Sequence, residues 1–284
     1  MLERNVLRIA LLSLMLCGCA VEDDRSAEAR KITPVLDDVR FFERPKLLSK
    51  LRKGTEPLPE IVFIESDPWK SVIGSDSPKF ALYENGHVIY RDGEEFRTAQ
   101  LGAAELQRIR KQLTPAHKPA LKGGYRIAQA TDQPDNVLLL YKGDPVFLNV
   151  YGSLDDEDVA SSLPDSIREA FETLRSFHHA KSKRWLPQWV EVMVWPYEHA
   201  VDPSIKWDRD WPGLSDQRTI RRGDSYSLFL PATELEPLRQ FLAKRNPKGA
   251  VEIDGRKWSA SIRFPFPQEQ LWMAPNPEAE NLSN

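Results

Sequence analysis

Apolar residues recur along this chain at two spacings, and the alternation between them predicts most of its elements. Ile61-Val62-Phe63-Ile64 is an unbroken apolar run of strand length. The runs Phe80–Tyr83 and His87–Tyr90 flank Asn85-Gly86, a hairpin signal because a type I′ turn needs positive φ at both central positions. Asp92-Gly93 leads into a third strand over Glu95–Leu101. Leu106, Ile109 and Leu113 then fall on one face of a helix over 103–113. A second hairpin is predicted from Asn136–Tyr141 and Pro145–Tyr151 around Lys142-Gly143-Asp144. Ile167, Ala170, Phe171, Leu174 and Phe177 follow the helical period, with Ser162 and Asp165 as a capping-box-like start and Pro164 in the first turn.

The same order of strands, helix and strands returns nearer the C-terminus. Val190–Trp195 and Tyr226–Leu230 read as strands. Thr233 with Glu236 forms a capping-box pattern opening a helix that carries Leu235, Leu238, Phe241 and Leu242. Ala250–Ile253 and Lys257–Phe264 make a hairpin across Asp254-Gly255. Tight hairpins mean antiparallel pairing, since parallel neighbours need long crossovers. The expected fold class is therefore α+β, with antiparallel sheets built from hairpins and a few packed helices. Two α+β halves are expected, over 58–182 and 183–273, followed by a polar, flexible tail over 274–284. Before them, Leu47, Leu48 and Leu51 alternate with lysine and arginine, which predicts a short basic helix near 45–53. Its leucines are expected to pack on the body, although such a face also suits anionic lipid headgroups.

Composition narrows the class. Of 284 residues, 41% are hydrophobic and 29% charged, and the net charge is -3. These values fit a folded globular protein and give no basic field for nucleic acid. The two cysteines, Cys17 and Cys19, lie together near the start, so no disulfide framework is available.

The N-terminus changes what those cysteines mean. Arg4 and Arg8 precede a run of 13 uncharged residues, Ile9 to Val21. That run is too short to span a bilayer, which takes about 20 residues, but it suits the apolar core of a signal peptide. Leu16-Cys17-Gly18-Cys19 resembles the lipobox of bacterial lipoproteins, with an apolar residue three before the modified cysteine and a small one directly before it. The resemblance covers these residues alone. It implies a signal peptide over 1–18, cleavage before Cys19, and acylation of both the Cys19 thiol and its new amino group. It also implies membrane attachment through acylated Cys19. Several acyl chains exceed the two signals that stable anchoring requires. Ala20 follows the cysteine; aspartate there would favour the inner membrane in proteins of this kind, so the outer membrane, facing the periplasm, is expected. Residues 19–57 then serve as a tether. The remaining 266 residues would carry 37 basic and 41 acidic side chains, a net charge of -4.

Catalytic signatures are sparse. No P-loop, GxGxxG, GxSxG, SxxK or HExxH pattern occurs, and no metal or cofactor is expected. His178-His179 are adjacent and would diverge on a helix. Asp155–Asp158 lacks the glycine of a calcium loop and reads as a helix N-terminus or solvated loop. One stretch stands apart. Five of the eight tryptophans, Trp185, Trp189, Trp195, Trp207 and Trp211, lie within 27 residues. Tyr197, Glu198, His199, Asp202, Asp208 and Asp210 are interleaved with them. From Pro196 to Asp216 strand and helix signals are few, so a long ordered loop is expected. Flat rings beside carboxylates suit stacking on a glycan or peptide, so Trp195, Tyr197, Glu198, His199, Asp202, Trp207, Asp208, Asp210 and Trp211 form the candidate ligand surface. The same rings could instead pin the loop to a sheet. The sequence favours a non-catalytic envelope module binding a ligand, an envelope protein or a glycan. A periplasmic hydrolase using these acids on wall or polysaccharide is the alternative.

Overall fold

Ile61, Val62, Phe63 and Ile64 are all buried, which places their strand in the middle of a sheet covered on both faces. In the computed structural model, which describes residues 45–51, 54–113, 121–208 and 210–273, two sheets carry the α+β fold. The expected signal peptide, Cys19, most of the expected tether and the 274–284 segment lie outside the described residues. The first sheet is built from β1 (Pro59–Glu65), β2 (Phe80–Tyr83), β3 (His87–Asp92), β4 (Glu95–Gln100), β5 (Gly123–Arg126), β6 (Asp135–Leu140), β7 (Val146–Tyr151) and β8 (Lys183–Arg184). Its spatial order is β5-β7-β6-β1-β2-β3-β4-β8. The second contains β9 (Trp189–Pro196), β10 (Ile205–Lys206), β11 (Ile220–Arg222), β12 (Ser225–Pro231), β13 (Val251–Ile253) and β14 (Arg256–Arg263), in the order β10-β13-β14-β9-β12-β11. The helices are α1 (Leu48–Leu51), α2 (Ala103–Gln112), α3 (Glu157–Ser161), α4 (Asp165–Arg175) and α5 (Leu235–Ala243).

Side chains alternate across each strand, so the first sheet has two apolar faces. Ile61 and Phe63 meet Ile109 of α2 and Ile167, Phe171 and Leu174 of α4, with the Phe63 and Phe171 rings 5.2 Å apart. Val62, Ile64, Ile89, Val137 and Leu139 face the other way, under Phe266 and Trp272. Residues 264–273 thus return from the second sheet to cover the first. Tyr83 and Tyr141 donate hydroxyl hydrogen bonds to the carbonyls of Pro267 (2.9 Å) and Leu271 (3.2 Å) in this segment. Leu48 and Leu51 of α1 also pack on this face, whereas Leu47, expected to join them, is 41% exposed.

The second sheet has one apolar face and one polar face. Val190, Val192, Val194, Leu228, Leu230 and Trp258 pack with Leu235 and Leu238 of α5. On the reverse, Glu191, Ser227, Ser259 and Arg263 are buried against the loop that joins β1 to β2. The Val72 amide donates to Ser261 Oγ (3.1 Å), Ser259 Oγ donates to the Ser71 carbonyl (2.8 Å), and the Phe264 amide donates to Ser77 Oγ (2.8 Å). At the centre the Arg263 guanidinium, 1% exposed, bonds Glu191 at 2.5 Å and Glu269 at 2.6 and 3.0 Å.

Several local expectations are corrected. The sheets are not purely antiparallel: β5 runs parallel to β7, and β10 parallel to β13. Neither capping box forms. Pro164 itself precedes α4, and a 3₁₀ turn over Ala232–Glu234 intervenes before α5, so neither Ser162 nor Thr233 caps its helix. Asp156 does cap α3, its carboxylate accepting from the Asp158 amide at 3.0 Å. The hairpin turns divide. Asp254 and Gly255 both have positive φ (50° and 76°), as a type I′ turn requires. At the first hairpin only Gly86 is positive (82°), its amide reaching the Tyr83 carbonyl at 2.9 Å, so Glu84–Gly86 is a three-residue connection. A β-carbon at Gly86 would also stand 3.1 Å from the Leu101 carbonyl oxygen. Gly86→Ala is expected to lower stability by about 1–3 kcal/mol, read from the urea midpoint.

Candidate functional site

The Trp-rich stretch is pinned to the second sheet by its own rings. Trp207 meets Trp211 edge-to-face at 4.9 Å, and both meet Phe241 of α5, at 5.7 and 5.4 Å. Both indole N–H groups are used: Trp207 donates to the Pro212 carbonyl (3.0 Å) and Trp211 to the Glu234 carboxylate (3.1 Å). The amides of Ile205 and Trp207 bond the carbonyls of Ala250 and Glu252, which fixes the loop along β13. Trp195 points to the opposite face, because β9 alternates and Val194 occupies the α5 side. Trp195 and the Trp207–Trp211 pair therefore do not share a surface.

The interleaved polar residues are occupied locally. Glu198 pairs with Arg256 at 3.2 Å. Asp202 accepts from the Lys248 amide at 3.1 Å, and Asp208 from the Asp210 amide at 3.0 Å. Tyr197 is half-buried, its amide bonded to the Lys257 carbonyl, while His199 and Asp210 are exposed. Among the described residues no group of three or more His, Cys, Asp or Glu side chains could hold a metal ion, and no helix is long and apolar enough to cross a membrane.

The two earliest tryptophans of the stretch lie elsewhere and stay accessible. Trp185 hydrogen-bonds the Phe96 carbonyl through its amide (2.8 Å) and packs on Phe266 (4.9 Å). Trp189 pairs with Pro231 at the edge of the sheet junction, and the Arg218 guanidinium carbon sits 5.2 Å from its ring. Together with Pro187, Phe229 and Pro265 they line a trough of about 540 Å³ between the two sheets. Among the described residues its polar side chains are Gln188 and Arg218. Asp216 orients Arg218 through bonds of 3.1 and 3.3 Å, which hold the Asp216 carboxyl below its usual range.

A second concavity carries no signal in the hydrophobic pattern. The loop after β1, residues 66–79, has no period, and its Trp69 is 77% exposed, far more than any tryptophan of the 185–211 stretch. Trp69 borders a polar cleft of about 720 Å³ at the end of the first sheet. The loop itself is firmly built. The Ser66 and Asp135 backbones are bonded at 2.9 Å, the Trp69 amide donates to Asp67 (2.9 Å), and Lys70 pairs with Asp76 at 2.8 Å. Burial pushes the Asp76 carboxyl up from its ordinary value, against the opposing pull of Lys70. Deeper in the cleft Glu65 pairs with Lys79 at 2.5 Å and with Arg175 at 3.4 Å. An aspartate-proline-tryptophan-lysine run in an aperiodic loop was the available sequence clue.

No protein-family profile, curated protein or solved structure matches this chain.

Proposed function

We propose that the chain is a bacterial envelope lipoprotein, held through acylated Cys19 at the periplasmic face of the outer membrane. Its body binds an extended segment of another envelope protein and catalyses no reaction. The trough of Trp185, Trp189, Pro187, Phe229 and Pro265 supports this reading most directly. Accessible aromatic and proline faces with few polar groups suit an extended, apolar or proline-rich peptide, which brings little conformational entropy to lose. A glycan would leave its hydroxyls unpaired in such a trough. Hydrolysis by the 198–210 acids has less support, since Glu198 is paired with Arg256 of β14, Asp202 accepts from the Lys248 amide, and Asp208 accepts within its own loop.

The anchor and the trough are tested separately. Cys19→Ser should abolish palmitate labelling and release the protein from membranes; unchanged labelling would refute the anchor. A photo-crosslinking residue at Gln188, on the trough rim, should give a discrete adduct with one envelope protein. Trp189→Ala and Arg218→Glu should each remove it, and an adduct indifferent to both would overturn the trough as the binding face.

A further inference from the structure

We propose that the cleft beside Trp69 is a second binding site, and that its ligand class is a neutral oligosaccharide. Three observations converge on this. The first is Trp69. At 77% exposure its ring gains little from burial within the chain, yet its mount is fixed at both ends of the loop. The Asp67 carboxylate holds the Trp69 amide, the Asp67 amide donates to Asp76 (3.3 Å), and Ser71 and Ser77 tie the loop's far side to the second sheet. A large ring on a rigid stalk at a cleft rim loses little entropy on contact with a ligand, as binding hot spots require.

The second observation is the sign balance. Five carboxylates and four cations line the cleft. Most are already matched: Glu65 with Lys79, Asp76 with Lys70, and Arg91 with Glu94 at 3.1 Å. Such a wall offers no unopposed cation for a phosphate, and although Asp67 and Asp132 lack a cation partner among the described ion pairs, the described acids form no group of three that could hold a metal ion. It does offer donors and acceptors side by side. A sugar hydroxyl is both donor and acceptor, so a polyhydroxylated neutral ligand matches this lining without a net charge.

The third observation is size and shape. A volume of about 720 Å³ lies in the range of small-molecule sites, room for a few sugar rings. This polar cleft and the apolar trough share no lining residue, so the two sites are independent.

The experiment is calorimetric titration of the full-length chain, held in a detergent without a sugar headgroup. Tri-N-acetylglucosamine, maltotriose and inorganic tripolyphosphate are the probes. Binding of either trisaccharide is expected, with N-acetylated and plain glucan sources distinguished by which of the two binds. Trp69→Ala should weaken it by about tenfold or more, with Trp69→Phe between. Raising salt from about 50 mM to about 0.5 M should leave it unchanged, because no net charge is read. The ring's exposure leaves the thermal midpoint of Trp69→Ala close to the parent, and Trp189→Ala should leave trisaccharide binding intact. Neither trisaccharide binding, tripolyphosphate binding more tightly, or Trp69→Ala binding like the parent would each overturn the proposal.

Discussion

Arg263→Met is expected to destabilise the protein by about 3–5 kcal/mol, the range for breaking a buried ion pair by removing one partner. Arg263 and Glu191 are each 1% exposed. The methionine fills much of the space but leaves the Glu191 carboxylate buried without its main cation. Glu269, 20% exposed, can turn toward water and adds less to the loss. Adding Glu191→Met should therefore recover about 1–3 kcal/mol, since it removes the stranded charge. Urea midpoints of the parent, both single variants and the double variant measure this coupling directly; a double variant as unstable as the sum of the singles would contradict it.

The same cluster has a pH signature. Burial alone would raise the Glu191 carboxyl, but Arg263, Ser227 and Arg222 outweigh it and hold it below its ordinary value of 4.5. Its contribution is therefore fully present above about pH 4.5 and is lost as the pH falls through the depressed folded value. In Arg263→Met the unpaired carboxyl is pushed the other way, and acid relieves its penalty. The stability gap between parent and variant should narrow as the pH drops through the carboxylate range. A constant gap would mean that packing, not charge, sets the loss.

Trp272→Ala is expected to cost about 3–5 kcal/mol, as for other large-to-small changes at a buried aromatic. The indole is 0% exposed and covers the second face of the first sheet with Phe266. Its Nε1–H, however, is buried with no hydrogen-bond partner. Leaving a buried donor unpaired costs about 1–3 kcal/mol, so Trp272→Phe loses area but also removes that penalty. The phenylalanine variant should lie within about 1.5 kcal/mol of the parent on the same urea scale. Equal losses for alanine and phenylalanine would show that shape, not the orphan donor, dominates.

The fold was legible where periodicity was strong. The run at 61–64, the helix at 165–175 and the hairpin across Asp254-Gly255 stand close to where spacing and turn chemistry put them. Spacing failed where backbone geometry decided the matter. Gly123–Arg126 carries two glycines and no alternation, so nothing marked it as a strand parallel to β7. Pro164 and the 3₁₀ turn at 232–234 displaced two capping patterns that read well on paper. The site was harder still, because a tryptophan that pins a loop and one that awaits a ligand are identical in sequence. Trp207 and Trp211 found Phe241, which no local pattern announces. Trp69 meets no ring among the described residues and stands 77% exposed.

The return of residues 264–273 onto the first sheet has a consequence for synthesis. All eight strands of that sheet are present once residue 184 has been made, yet apart from Leu48 and Leu51 of α1 and Trp185, the face of Val62, Ile64, Ile89, Val137 and Leu139 waits some 80 further residues for its cover of Phe266 and Trp272. A chain growing from its N-terminus therefore holds a partly open apolar face until these last residues are made. A chain ended or trimmed before residue 264 would leave most of that face without its cover. The shelter for that face depends on Phe266 and Trp272, far down the chain from the strands they cover.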